Sequence, residues 1–214
     1  MEVSIKTLKQ NAKAQLKGKW LNAILALLLS GLAMGLSSVS GIIPIIIGGA
    51  VNVGVGLVFM DIMRGGPGDL NKLLDGFKNS FVNSLIAFLL TAIFVFLWSL
   101  LFVIPGIIKT YAYSMTFYII GEHPDMDGRE AMKVSERLMK GYKGKLFLLH
   151  LSYIGWMLLI PLTAGILAFY VGPWMKNAEV NFYEWVKTQN PQPELGGTVP
   201  AAPVSTIPNP EITQ

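Results

Sequence analysis

Three long uncharged stretches alternate with short basic ones along this chain. Residues 20–60 hold no Asp, Glu, Lys, Arg or His over 41 positions, and residues 79–108 hold none over 30. Residues 146–175, another 30, contain one such residue, His150. A single crossing of a bilayer core needs about 20 apolar residues, so each stretch is too long for one helix. No alternating strand pattern runs through them, and a segment in lipid must satisfy its own backbone groups, which favours helices. The pattern predicts six spans, at residues 20–39 and 41–63, 81–104 and 106–121, and 146–160 and 165–185.

Each stretch follows a basic, glycine-punctuated turn. The turns read Lys17-Gly18-Lys19-Trp20, Gly76-Phe77-Lys78-Asn79 and Gly141-Tyr142-Lys143-Gly144-Lys145-Leu146. Lys17 to Lys78 is 61 residues and Lys78 to Lys143 is 65, while Pro44 and Pro105 are also 61 apart. The third stretch breaks around Pro161, Thr163 and Gly165. Spacing near a fixed period is the mark of repeated structure. The expected fold is an all-α membrane protein whose six transmembrane helices form three helical hairpins, each preceded by an amphipathic surface helix. The repeat units fall at about 4–63, 70–121 and 128–188, inside one membrane domain over residues 1–188.

Composition agrees with this reading. Of 214 residues, 52% are hydrophobic and 14% are charged, against about 25% charged in soluble domains. The mean hydropathy is +0.51. There is no cysteine, which excludes disulfides, thiolate catalysis and cysteine metal sites. Residues 1–19 are read as a polar helix leading into the first span, rather than as a cleaved signal.

Lys and Arg number five in residues 1–19, three in 61–80 and six in 122–145; the turns at 37–44, 102–108 and 161–173 have none. Basic loops stay in the cytoplasm, so the count predicts a multi-pass protein of the cell (cytoplasmic) membrane with both termini inside. A five-span alternative leaves the helix after Pro173 on the outer surface, because Lys176, Glu179 and Glu184 are hard to bury. The tail, 189–214, has six prolines and neither Lys nor Arg; that composition predicts disorder.

Residues 4–16 place Ile5, Leu8, Ala12 and Leu16 on one face, with Lys6, Lys9, Lys13 and Lys17 beside it. Such a helix can lie in the headgroup plane with its lysines drawn to anionic lipid. A second helix is expected after Asp127, with Glu130 at capping-box spacing, a Glu136–Lys140 pair, and a stripe of Ala131, Val134, Ser135, Leu138 and Tyr142. The candidate headgroup-binding residues are Lys6, Lys9, Lys13, Lys17, Lys19, Lys140, Lys143 and Lys145. The plainer role for these helices is to steer insertion and fix topology.

The stretch from Ile104-Pro105-Gly106-Ile107-Ile108-Lys109 to Thr110-Tyr111-Ala112-Tyr113-Ser114-Met115 is distinctive. So are Glu130-Ala131, Ser135, Leu138-Met139-Lys140-Gly141, Leu151-Ser152-Tyr153-Ile154-Gly155-Trp156 and Phe182-Tyr183-Glu184. Together they resemble the bacterial integral membrane proteins catalogued as domain of unknown function 975, over about residues 5–186. The resemblance implies a multi-span inner-membrane protein of Gram-positive-type bacteria with no established activity. The layout is also similar to the membrane region attached to some glycerophosphodiester phosphodiesterases. Their soluble catalytic domain has no counterpart here, so that activity does not carry over.

Polar residues concentrate in the second span of each pair, and ionisable groups there mark candidate functional sites. The candidates are Lys109, Tyr111, Tyr113, Ser114, Lys176, Glu179 and Asn181, with Lys109 expected to pair with Glu179 or to meet a lipid phosphate. Its plainer reading is snorkelling beside two tyrosines. Gly31 and Gly35, with Gly48, Asn52 and Gly56, suggest close helix packing. His150 reads as a buried, satisfied histidine. His123, Asp125 and Asp127 match no metal spacing, and Arg64-Gly65-Gly66-Pro67-Gly68 reads as a flexible linker. No catalytic constellation, metal site or cofactor site is predicted, and nucleic acid is not an expected partner. The expected function is a non-enzymatic structural or regulatory protein that organises membrane lipids or a membrane or cytoplasmic protein partner. The alternative is a small transporter or channel built around Lys109 and Glu179. Transport requires those residues to converge on an open cavity; a scaffold requires them to be locked in pairs.

Overall fold

The computed structural model describes residues 4–37, 43–101, 103–163 and 165–195. The first expected hairpin turn falls largely outside the described residues, as does most of the proline-rich tail. Among the described residues the fold is all-helical, without a strand. The elements are α1 (Ile5–Gln15), α2 (Trp20–Ser37), α3 (Ile43–Met63), α4 (Lys72–Lys78), α5 (Phe81–Leu101), α6 (Val103–Ala112), α7 (Thr116–Glu122), α8 (Gly128–Leu138), α9 (Lys143–Leu151), α10 (Ile154–Leu159) and α11 (Ala168–Gln189).

The order of short helix, tight turn and apolar helix occurs three times, at α1–α2, α4–α5 and α8–α9. Gly18 (φ 79°) and Gly141 (φ 86°) turn the chain in the left-handed region, which glycine enters without steric cost. Gly76 differs. It lies within α4, where a Cβ would come 2.2 Å from the Ala50 carbonyl oxygen of α3. Its role is close contact between two helices.

Three helical stretches are long and apolar enough to cross a membrane among the described residues: Ile43–Met63, Phe81–Trp98 and Lys143–Thr163. A fourth is reached if Ile5–Gln15 and Trp20–Gly35, bent by 98° at their junction, count as one span. Six spans in hairpins are therefore not reached by length and hydropathy among the described residues. The expected span at 106–121 is split into α6, 10 residues, and α7, 7 residues. At 1.5 Å per residue, α6 is roughly 15 Å long, about half the hydrocarbon thickness. The split follows from a side chain that competes for the backbone: Ser135 of α8 donates its hydroxyl to Ala112 O (2.8 Å) and accepts the Met115 N–H (3.2 Å). The sixth expected span, α11, carries four charged residues and a proline, Pro173.

The core sits around α3 and α11. Phe59, Met60 and Ile62 of the first and Phe182 and Tyr183 of the second are fully buried. The glycine expectations shift here. Among the described residues a Cβ on Gly31 or Gly35 would meet nothing within 4 Å, so the GxxxG pair seats no described helix. The close approaches are at Gly49, where a Cβ would come 2.2 Å from Ser84 O of α5, and Gly54, 2.4 Å from Leu73 O of α4. Asn52 bonds its own helix at Gly48 O (2.8 Å), while Asn83 reaches Pro124 O (2.8 Å).

The two amphipathic helices are packed into the protein, with their apolar stripes turned inward. Leu8, Ala12 and Leu16 of α1 are buried, as are Ala131, Val134, Ser135 and Leu138 of α8. Gly128 lets the start of α8 touch α5, where a Cβ would lie 2.3 Å from Asn83 O. The side chains left outside are apolar instead: Phe96 and Leu97 of α5, Leu158 of α10 (74% exposed) and Leu162 (82%). Exposed apolar side chains of this kind are compatible with a lipid surround.

Candidate functional site

The polar residues of α11 organise the interior. Glu179 accepts from Lys176 Nζ (2.9 Å), from Tyr118 OH of α7 (3.0 Å) and from His150 Nε2 of α9 (2.9 Å). A carboxylate only accepts, so neutral His150 carries its proton on Nε2, and Nδ1 receives the Tyr111 hydroxyl of α6 at 3.2 Å. Three helices thus meet at one carboxylate, whose side chain is 15% exposed, and α6 joins them through Tyr111 on His150. His150 is satisfied on both nitrogens.

Lys109 is elsewhere. Its ammonium lies 2.6 Å from Glu136 of α8, and 5.6 and 5.5 Å from the ring centres of Trp98 and Tyr113. The expected pairing of Lys109 with Glu179 does not form, because the bend after Ala112 sends α6 towards α8. Glu136 is consequently taken from Lys140, its expected helical partner. Asp127 does stand at the N-terminus of α8, but its side chain makes no capping bond. Ser114 bonds back to Tyr111 O (2.9 Å).

Asn181 joins a third group, which ties α1 to α11. Gln15 donates to Asn181 Oδ1 (3.0 Å) and accepts from Asn177 (2.9 Å) and Asn181 (2.6 Å). Asn177 also donates to Ala12 O (2.9 Å), and the Trp174 indole to Lys9 O (2.8 Å). These bonds orient α1 so that its lysines project from one edge. Lys6, Lys9 and Lys13 line a cavity of about 450 Å³ with Ile5, Gln10, Ser152 and Trp174. Lys9 sits 4.1 Å from the Tyr153 ring centre and 5.1 Å from Trp174; Lys13 lies 5.9 Å from Tyr170 and 5.7 Å from Trp174. Partial burial pushes the Lys9 ammonium below its ordinary pKa. The other expected headgroup lysines do not share this place. Lys17 and Lys140 are exposed, Lys143 is half-buried, Lys19 points to Ile62 O (3.4 Å), and Lys145 lies over Trp185 (5.0 Å).

Two polar groupings escaped the sequence reading. Glu122, at the end of α7, accepts from Arg64, from Tyr183 OH (2.6 Å) and from Lys187 (2.9 Å). Glu184 completes the clamp with Arg64 (2.9 Å) and Lys187 (3.0 Å). Burial alone would raise the Glu122 pKa, but the Lys187 charge, the Tyr183 hydroxyl and Arg64 hold it below the ordinary value. Asp61 accepts from Lys72 (2.6 Å) and from the Gly68 N–H (2.8 Å), which pins the glycine-rich linker that the sequence suggested was loose. The i,i+3 spacing of Glu184 and Lys187 was the one available signal.

None of the cavities of about 450, 460 and 510 Å³ is lined by Glu179, Lys176 or Asn181. No three His, Asp or Glu side chains cluster for a metal among the described residues. The sequence profile of the family described as Protein of unknown function (DUF975) matches residues 1–112 and 100–190. The chain belongs to the DUF975 family. No curated protein and no solved structure matches this family member.

Proposed function

We propose that this DUF975 protein is a non-enzymatic, multi-pass protein of the bacterial cytoplasmic membrane that organises anionic lipid at the cytoplasmic face through α1. The observation that carries this is the α1 cavity: three lysines, a tryptophan edge and no carboxylate among the lining residues. Each Lys near an anionic surface contributes about 1 kcal/mol, so three amount to roughly 3 kcal/mol of preference over a neutral surface. The 98° bend between α1 and α2 supports it, since it lays α1 across the direction of α2. The pairing of Glu179 with Lys176 and His150, and of Asn181 with Gln15, favours a scaffold over a conduit. The test is native mass spectrometry of the purified protein with short-chain phosphatidylglycerol or phosphatidylcholine. The K6Q/K9Q/K13Q variant is expected to lose a bound phosphatidylglycerol and no phosphatidylcholine; equal loss of both, or of neither, refutes the reading.

Six membrane passages with both termini inside remain the topology this reading favours. α6 with α7, and α11, then cross shielded by their neighbours, α8 is drawn into the bundle so that its Glu136 meets Lys109, and the basic turns at Gly18, Gly76 and Gly141 lie on one side. The cysteine-free chain allows single cysteines in the turns and the tail to be labelled from outside. Labelled turns with an unlabelled tail support six passages, whereas a labelled tail rules them out.

A further inference from the structure

We infer that the cavity between α5, α6 and α8 is a second anionic-lipid site, one that takes a phosphodiester headgroup with its acyl chain along α5. It encloses about 510 Å³. Leu90, Phe94 and Trp98 of α5 form an apolar wall, and Lys109, Arg129 and Lys133 bring three cations to it. Glu136 is the only carboxylate in the lining, and it neutralises Lys109 at 2.6 Å. Arg129 and Lys133 are four residues apart on α8, both exposed, with no carboxylate partner among the described residues. Like charges at that spacing repel, so the site is short of an anion.

The aromatic faces of Trp98 and Tyr113 keep the Lys109 ammonium at the cavity, and an Arg beside two Lys suits phosphate oxygens. A soluble anion would satisfy the cations but leave the α5 wall bare. That wall continues into the exposed Ile93, Phe96 and Leu97, where a hydrocarbon chain is at home. Both halves of a phospholipid with net negative charge are therefore matched. Glu136 opposes the incoming phosphate and competes with it for Lys109, so it sets the affinity. This cavity shares no residue with the α1 cavity, and the two proposals stand or fall separately.

The test uses the full chain carrying K6Q/K9Q/K13Q, so that α1 contributes nothing. Binding of dihexanoyl phosphatidylglycerol is titrated by native mass spectrometry, with dihexanoyl phosphatidylcholine and inorganic phosphate as competitors. Adding R129Q/K133Q is expected to weaken phosphatidylglycerol binding about tenfold or more. Adding E136Q is expected to tighten it, a gain that a misfolded variant would not give. Neither competitor should displace the lipid at equal concentration. The proposal is overturned by unchanged affinity in R129Q/K133Q, by weaker binding in E136Q, or by displacement with inorganic phosphate, which would assign the site to a soluble anion.

Discussion

Replacing Glu179 by Gln tests the central cluster most directly. The carboxylate is 15% exposed and takes three donors at 2.9–3.0 Å, from Lys176, His150 and Tyr118. Glutamine has nearly the same shape, so packing is preserved and the charge is what is lost. The Lys176 ammonium then has no counter-ion, and its side chain is only 28% exposed. Breaking a fully buried pair from one side costs about 3–5 kcal/mol; allowing for solvent at Lys176 reduces this to about 2–3 kcal/mol. For a chain of this size each kcal/mol moves the melting midpoint by roughly 2–4 °C, so E179Q should melt about 4–12 °C lower. The assay is the intrinsic tryptophan fluorescence melt in a mild detergent, at one scan rate. The decisive arm is K176M/E179Q. Removing both charges of a buried pair is close to neutral, so most of the loss should return. If the double variant is as unstable as E179Q, or if E179Q melts with the wild type, the unpaired-charge reasoning is wrong. K109M should add independently to E179Q, because Lys109 pairs with Glu136 and shares no partner with Glu179.

Gly49→Ala should destabilise strongly, since its methyl would fall 2.2 Å from a backbone oxygen of α5 that cannot swing away; Gly31→Ala, with open space around it, should melt at or slightly above wild type. Acid should weaken the protein partly through Glu122. Its folded pKa is held below the unfolded value of about 4.3, so its stabilisation is complete above that pH and is lost as pH falls through the folded value. Melts between pH 7 and pH 3 should show E122Q with a flatter acid limb than wild type, and identical limbs would sink the assignment. Ser135→Ala leaves the Met115 N–H and Ala112 O unsatisfied at the break between α6 and α7, and should lower stability by about 1–3 kcal/mol. Hydrogen exchange at Met115 is the local check, with faster exchange expected.

Much of the frame was legible in the charge pattern. The long uncharged stretches, the three basic turns and the apolar faces of α1 and α8 all follow from residue order, because period and charge are local properties. The stripe Leu8, Ala12 and Leu16 was correctly read as one face, yet what covers it was not. Asn177 and Gln15 are ordinary polar residues until folding brings them within 2.9 Å of each other across 162 positions. Glu179 is an expensive charge on hydropathy alone, but its partners are His150 and Lys176 rather than Lys109, for a reason absent from hydropathy. A single hydroxyl, Ser135, supplies the bonds that let the helix stop after Ala112, and that bend redirects Lys109.

The sequence by itself determined an all-helical chain with long uncharged segments, a threefold rhythm of basic turn and apolar helix, and a face of lysines on the first helix. Those rest on composition and helical period, which need no partner. Tertiary structure alone decided how many helices are long enough to cross, which glycines carry close contacts, which carboxylate each cation meets, and where lysines gather around a cavity. Such pairings depend on distances of 2.6–3.2 Å between side chains far apart in the chain, and distances of that order are set by packing.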